Sequence, residues 1–148
     1  MWVGPFLGTT VFVDTAPVVY YVEENSKYLG LVSPFLDAAL NGTLLAVTSV
    51  VTLSEVLVVP LRSGRSDLAE RYRRVLSPVG GIEVNSITGQ IAEEAAQIRA
   101  TYRRIRTPDA IQMATAVAAG AHYFLTNDKA LPDLPNLQML VVDDLAHA

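Results

Sequence analysis

The chain has 148 residues, 51% of them hydrophobic, with a formal net charge of −4 at pH 7 and no cysteine. That length suits one domain with ample material for a core. The composition excludes disulfides, thiolate metal sites and a uniformly basic nucleic-acid coat, and no apolar run is long enough to span a bilayer.

The opening MWVGPFLGTT has no basic region ahead of an apolar stretch, so no secretory signal is expected and the cytoplasm is the expected location. Residues 1–10 read as a short N-terminal extension whose Trp2 and Phe6 can pack on the body. Residues 11–13 read as a buried strand closed by Asp14, and 15–17 permit the start of a helix that runs through 18–22. After a polar break at 23–27, a second helix spans 28–40, with an interruption expected at Ser33-Pro34 and a stop at Asn41-Gly42. A second buried strand covers 44–48. Thr48 or Ser49 then caps a helix over 50–62, whose only acid is Glu55 and whose Pro60 predicts a kink or stop in the final turn. Ser66 or Asp67 caps a basic helix to about Leu76. A loop over 77–81 precedes a short strand at 82–84, and Thr88 caps a helix from Gly89 to about Ile105 with Ala92, Ala95, Ala96 and Ile98 on its inner side.

The stretch TPDAIQMATAVAAGAHYFLTND, residues 107–128, carries the most information. Thr107 suits an N-cap, Pro108 the first helical position and Asp109 the positive first turn. Ile111, Met113, Ala114, Val117 and Ala118 give the helix an apolar side, and Gly120 can end it. Residues 122–126 read as a buried strand, and Asn127-Asp128 turn out of it. A loop at 131–135 leads to a last strand over 137–142, and there is no internal repeat or linker.

Strands that are continuous apolar runs and alternate with helices predict an α/β fold, a parallel sheet covered on both faces. Ligands gather at the carboxyl ends of such strands. Asp14, Asp109 and Asp128 all fall at strand ends or helix starts, and Glu55 lies one to two turns into its helix, within reach of the same edge. Each acid also has a local reading. Asp14 can cap a helix, Asp109 can complement a helix dipole and Asp128 can make an Asx-turn. Glu55 resists one. Its neighbours Leu53, Val56, Leu57, Val58 and Val59 are apolar, and no Lys or Arg lies within a turn, so it reads as a carboxylate in need of a partner. Four converging carboxylates repel one another, and a divalent cation resolves that conflict. All-oxygen ligation suits Mg2+ or Mn2+. Asp14 and Asp109 are the most direct candidate ligands, completed by Glu55 and Asp128. Thr126 and Asn127 either support them or only shape the turn.

Every arginine lies within 62–74 or 99–106. Arg65, Arg71, Arg73 and Arg74, with Arg99, Arg103, Arg104 and Arg106, suit either RNA phosphates beside the acids or solvated helix faces. His122 and His147 form no spaced pair, and His122 reads as structural. Tyr20 and Tyr21 suit core packing or a dimer contact. The apolar residues of 18–22 and 50–59 exceed what one core face requires, which predicts a homodimer.

The pieces VFVDTAPVVYYVEE, TSVVTLSEVLVVPLR, RTPDAIQMATAVAAGAHYFLTNDKAL and LQMLVVDDL cover most of the chain. In that order they resemble a PIN-domain protein, and within that family the VapC-type toxins of bacterial toxin–antitoxin pairs. The resemblance implies a PIN-like three-layer α/β/α fold with a central parallel sheet, over a single domain of residues 1–148. It implies that Asp14, Glu55, Asp109 and Asp128 form the catalytic and metal site of an Mg2+- or Mn2+-dependent endoribonuclease. It further implies an RNA substrate, a homodimer and a cognate VapB-type antitoxin. The chain departs from the pattern in the residues ahead of its first strand and in the undistinctive segment 72–83. A phosphoacceptor receiver domain would want an acidic pair where VFVDTAP has one acid. A haloacid-dehalogenase-type phosphatase would want an acid where Ala16 stands. No GxxxxGK[ST] phosphate loop occurs. The alternative is a catalytically silent PIN-fold binding module, which need not keep the acids.

Overall fold

Short runs of Val, Ile, Phe and Leu separated by helical stretches can be buried on both faces only inside a helix-covered sheet. The computed structural model describes residues 3–146 and has that architecture; the expectations for Trp2 and His147 lie outside the described residues. Five parallel strands, β1 (Thr10–Val13), β2 (Leu45–Ser49), β3 (Ile82–Asn85), β4 (Tyr123–Thr126) and β5 (Gln138–Val141), stand in the order β3-β2-β1-β4-β5. The described helices are α1 (Thr15–Val22), α2 (Leu29–Leu40), α3 (Val50–Arg62), α4 (Ser66–Val75), α5 (Gly89–Thr101), α6 (Thr107–Ala118) and α7 (Val142–Leu145).

Alternation along the strands divides the core in two. Val11, Val13, Ala46, Ile82, Leu125 and Leu140 pack with α1–α4 and α7. Phe12, Val47 and Phe124 face the other way, onto α5 and α6. Phe12 and Phe124 are register partners, and their rings stack with centroids 5.0 Å apart. The result is the predicted three-layer sandwich. The chain winds outward from β1 to β2 and β3, then returns to lay β4 on the other side of β1. That reversal opens a crevice at the carboxyl ends of β1 and β4. Asp14 follows β1 directly, and Asp128 lies just beyond β4.

Local chemistry explains most of the differences from the sequence reading. α2 runs through Pro34 without a break. The bond Pro34 cannot make would go to Gly30, which is exposed in the first turn and open to water. α3 likewise continues through Pro60. Ser49 caps α3 and Thr88 caps α5, each accepting a backbone N–H at 3.1 Å. Neither Ser66 nor Asp67 caps α4: Ser66 is its first residue, and Asp67 pairs instead with Arg65 at 2.9 Å. α5 ends at Thr101 because Tyr102 is extended, and Arg99 Nε donates to the Ile105 carbonyl at 3.0 Å. On α5 the inner face is Ile91, Ala95 and Ile98, while Ala92 and Ala96 are exposed. α6 starts one residue early, with Arg106 at the N-cap position and Thr107 inside the helix. Its core face carries Gln112 and Thr115 beside Met113 and Ala114, leaving Val117 and Ala118 exposed. Gly120, at φ +71°, does end it. The expected last strand stops at Val141, and α7 begins at Val142.

Residues 3–9, ahead of β1, are built into the body. Val3 is fully buried. The Phe6 ring lies 5.3 Å from Phe35 and 4.9 Å edge-on to Tyr123, and the Gly8 N–H donates to the Thr43 carbonyl at 2.7 Å. Another close approach occurs after α4, where a Cβ on Gly80 would meet the Arg74 carbonyl oxygen at 1.9 Å. Gly80→Ala should therefore cost roughly 1–3 kcal/mol through forced overpacking, read as a lower denaturant midpoint. An unchanged midpoint would show that this approach is not fixed.

Candidate functional site

Asp14 sits where β1 hands over to α1. Its Oδ1 accepts the Thr15 N–H at 2.9 Å as a helix cap and faces Gln112 Nε2 at 3.4 Å, and its Oδ2 accepts the Thr126 hydroxyl at 2.8 Å. All three donors are neutral. Burial raises its pKa above the ordinary carboxylate value; the Thr15 and Thr126 bonds oppose that, and the charge of Asp109 reinforces it.

Asp109 lies in the first turn of α6, its Oδ2 3.6 Å from Arg106 Nε. Burial is again the main upward influence, opposed by Arg106 and reinforced by the charges of Asp128 and Glu55. Asp128 makes the Asx-type turn expected of it, with Oδ1 accepting the Ala130 N–H at 2.9 Å, and its own N–H donates to Thr126 Oγ1 at 3.1 Å. One threonine thus fixes both Asp14 and the Asp128 turn. Asn127 shapes the local structure. Its amide donates to the Tyr20 hydroxyl at 3.2 Å and its carbonyl oxygen accepts the Asp143 N–H at 3.0 Å.

Glu55 corrects the sequence reading in one respect. It is exposed, because α3 turns Thr52, Val56 and Pro60 to the core and leaves Val50, Val58, Val59 and Leu61 exposed. Of its apolar neighbours, Val56 points to the core, Leu53 and Leu57 pack partly against it, and Val58 and Val59 lie at the surface, so none of them encloses Glu55. Glu55 still reaches the site: its Oε1 accepts the Thr15 hydroxyl at 2.7 Å. The four acids line one cleft of about 490 Å³ with Thr15, Tyr20 and Arg106.

Four carboxylates against one guanidinium leave an acidic cleft, and the Arg106 side chain is 81% exposed. A half-buried carboxylate held only by neutral donors, within an all-oxygen set, fits a hard divalent cation. Among the described residues, no three acids are already closed into a cation cage. Thr15 holds Glu55 at the cleft, whereas Asp109 leans to Arg106 and its side chain would have to turn inward.

The other arginines separate by role. Arg71 donates to the Val22 carbonyl and lines a different pocket with Arg74, Tyr21 and Glu24. Arg73 lies 3.5 Å from Glu70. Arg103 and Arg104 are exposed. His122 is exposed just ahead of β4, and its Nδ1 accepts the Thr10 N–H at 3.1 Å, a structural role. Tyr20 stacks on Tyr28 with centroids 4.3 Å apart. In α1, Val18 and Val22 are buried in the body, so of the two apolar stretches it is α3 that leaves large side chains exposed. Among the described residues, no helix is long and apolar enough to cross a membrane.

Residues 11–137 match the PIN domain family. The chain belongs to that family. No curated protein sequence gives a significant match. Among solved structures, the PIN chain is similar to a toxin–antitoxin complex from Klebsiella pneumoniae, with a TM-score of 0.65 at 21% identity, covering 86% of this chain and 94% of that one. It is similar to VapBC2 from Rickettsia felis bound to a promoter DNA fragment, with a TM-score of 0.64 at 16% identity, covering 89% and 98%. It is also similar to VapC20 of Mycobacterium tuberculosis, a sarcin-ricin loop cleaving toxin, with a TM-score of 0.61 at 18% identity, covering 77% and 86%. At these identities the likeness shows a shared PIN fold.

Thr15, Thr52 and Gln112 also bond at the site, although nothing in the sequence places them beside the acids. The available signal was only a polar residue where an apolar face was due: Gln112 comes three residues after Asp109, and Thr52 three before Glu55.

The raised pKa values of Asp14 and Asp109 set a direction for stability. The folded state holds their protons to higher pH than the unfolded chain does, so their contribution falls as pH rises from the ordinary value of 3.8 through the raised values. Chelator-treated protein should gain stability on acidification from neutrality into that window. Asp14→Asn should be more stable than the parent at neutral pH and show a shallower gain. Thermal midpoints across pH check this, and a less stable Asp14→Asn would contradict it.

Proposed function

We propose that this PIN-domain protein is an Mg2+- or Mn2+-dependent endoribonuclease and the toxin of a VapBC-type toxin–antitoxin pair. The observation that carries the reading is four acids lining one cleft at the sheet's switch point, with a single guanidinium among them. The names of its structural neighbours support it, since one is an RNA-cleaving toxin and the others are toxin–antitoxin complexes.

Asp14 and Asp109 are proposed as the most direct ligands of the cation, with Glu55 and Asp128 completing the site. A bound divalent cation supplies an acidified water and a clamp on phosphate oxygens. The chain does the rest. Thr126 and the Thr15 N–H hold Asp14 in one orientation. Thr15 holds Glu55 by Oε1, leaving Oε2 to take a proton from the attacking water. Arg106 at the cleft, with exposed Arg103 and Arg104 on the preceding turn, draws in a polyanion that an acidic protein would otherwise repel. The exposed strip Val50, Val58, Val59 and Leu61 supports a homodimer. A cognate VapB-type antitoxin would cover the acidic cleft through a basic side chain, and the cytoplasm is the proposed compartment.

The silent binding module is the second reading, favoured by the acids not standing in a closed cage. Titration separates the two. Mn2+ or Mg2+ at about 100 times its Kd should stabilise the protein by about 2.7 kcal/mol. Antitoxin-free protein should cut cellular RNA in the presence of either ion and stop on chelation. Asp14→Ala and Asp109→Ala should each abolish most cleavage, and their losses should not add, because acids sharing one cation act as a unit. Equal cleavage by the parent and Asp109→Ala would overturn the proposal. In light scattering the parent should be a dimer and Val59→Glu more monomeric; a monomeric parent at all concentrations would reject the dimer.

A further inference from the structure

Gln112 is 1% exposed and lies one turn beyond Asp109 on α6. A buried primary amide must place two N–H groups and one carbonyl. Its surroundings decide which end is which. Ser49 Oγ accepts the Val51 N–H at 3.1 Å, and the Ser49 hydroxyl donates to Gln112 Oε1. Gln112 Nε2 therefore faces Thr52 Oγ1 at 2.6 Å and Asp14 Oδ1 at 3.4 Å. The flipped amide would set its carbonyl oxygen against the Asp14 carboxylate, two acceptors face to face, so the polarity is fixed.

The hydroxyl protons can then be followed outward. The Thr48 hydroxyl donates to the Val13 carbonyl at 2.7 Å, and the Thr15 hydroxyl donates to Glu55 Oε1 at 2.7 Å. A carbonyl and a carboxylate can only accept. Thr15 Oγ1, its proton committed, is left as an acceptor 3.2 Å from Thr52 Oγ1. Thr52 accepts from Gln112 and has one proton to give, which Thr48 Oγ1 at 2.9 Å and Thr15 Oγ1 can each accept. Gln112, Thr52, Thr48, Thr15 and Glu55 thus form one hydrogen-bonded network, with a second branch from Gln112 to Asp14.

Among the described residues, the buried polar ones are Thr48, Ser49, Thr52, Gln112, Thr115 and Thr126, and all but Thr115 belong to this network or bond directly to Asp14. Packing alone does not call for them, because apolar groups of the same shape would fill the space without desolvating donors and acceptors.

We propose that Gln112 and Thr52 are positioning residues, a buried relay that sets Asp14 and Glu55 in one mutual orientation toward a divalent cation. The inference rests on the proposed cation site at the acids. It links β2, α1, α3 and α6, so the two acids are referred to one buried amide although they stand on different elements.

The test uses Thr52→Val and Gln112→Met, which keep volume and remove the relay, with Thr52→Ser as the conservative variant. Mn2+ binding is measured by calorimetry, RNA cleavage as kcat and KM, and folding by thermal midpoint. Thr52→Val and Gln112→Met should weaken Mn2+ binding roughly 10- to 100-fold and lower kcat more than they raise KM, with stability kept or increased. Thr52→Ser should restore binding and kcat. If the buried variants do not fold, Thr15→Val carries the test from the partly exposed end of the relay, with the same loss expected through the Glu55 branch. Parent-like Mn2+ binding and kcat in Thr52→Val and Gln112→Met would overturn the relay. So would a Thr52→Ser that fails as badly as Thr52→Val with a matching loss of stability, since that marks packing. Asp14→Asn keeps the two ideas apart. If it loses Mn2+ binding while Thr52→Val does not, the relay alone is wrong. If Asp14→Asn binds Mn2+ as the parent does, the cation site is wrong and the relay falls with it.

Discussion

Everything at the carboxyl edge of the sheet follows from holding Asp14 as a carboxylate with only neutral donors around it. Burial and the neighbouring Asp109 both work against its charge. A protein selected for stability alone would set a basic residue there or replace the acid. This chain keeps the charge and surrounds it with a backbone N–H, a threonine hydroxyl and an amide. Those groups orient a carboxylate without neutralising it, which leaves its charge for a ligand. Arg106, the cation that lines the cleft, is turned to Asp109 and lies largely in solvent, where its pairing is weak.

The fold puts that group where a ligand can reach it. Outward winding to β3 and the return to β4 open the crevice between β1 and β4. The stacked Phe12 and Phe124 tie these two strands together beneath it. Thr126, the last residue of β4, then bonds across to Asp14 while accepting from the Asp128 turn. The strand ends are thereby held in register by the same residue that serves the site.

Much of this was legible in the sequence because apolar runs and caps act locally. The strands, the caps Ser49 and Thr88, the stop at Gly120 and the four acids at one edge could all be read from neighbours a few residues away. What was not legible depends on which way a helix is rolled. In α3 the apolar residues seemed to bury Glu55, yet Thr52 and Val56 face the core and Val58 and Val59 face outward. In α6 and α5 the same uncertainty exchanged Gln112 and Thr115 for Val117, and Ile91 for Ala92. Gln112 and Thr52 read as ordinary polar helix residues because their partners lie far along the chain, on other elements. α7 was hidden because Val141-Val142 continues the apolar pattern of β5.

Surface and site are kept apart on α3. One side of that helix presents Val58, Val59 and Leu61 outward, while Glu55 turns to the cleft through Thr15. A partner on the apolar strip and a polyanion at the acids would therefore meet neighbouring faces of a single helix. The acids are proposed to gather a cation which their present side-chain positions only approach. Anomalous diffraction from crystals soaked in Mn2+ tests it most directly. A cation site requires a manganese peak within bonding distance of Asp14 and at least one of Asp109, Glu55 and Asp128, with the partner side chain turned inward. Manganese bound only elsewhere, with the cleft free of anomalous density and the acids unmoved, would contradict it.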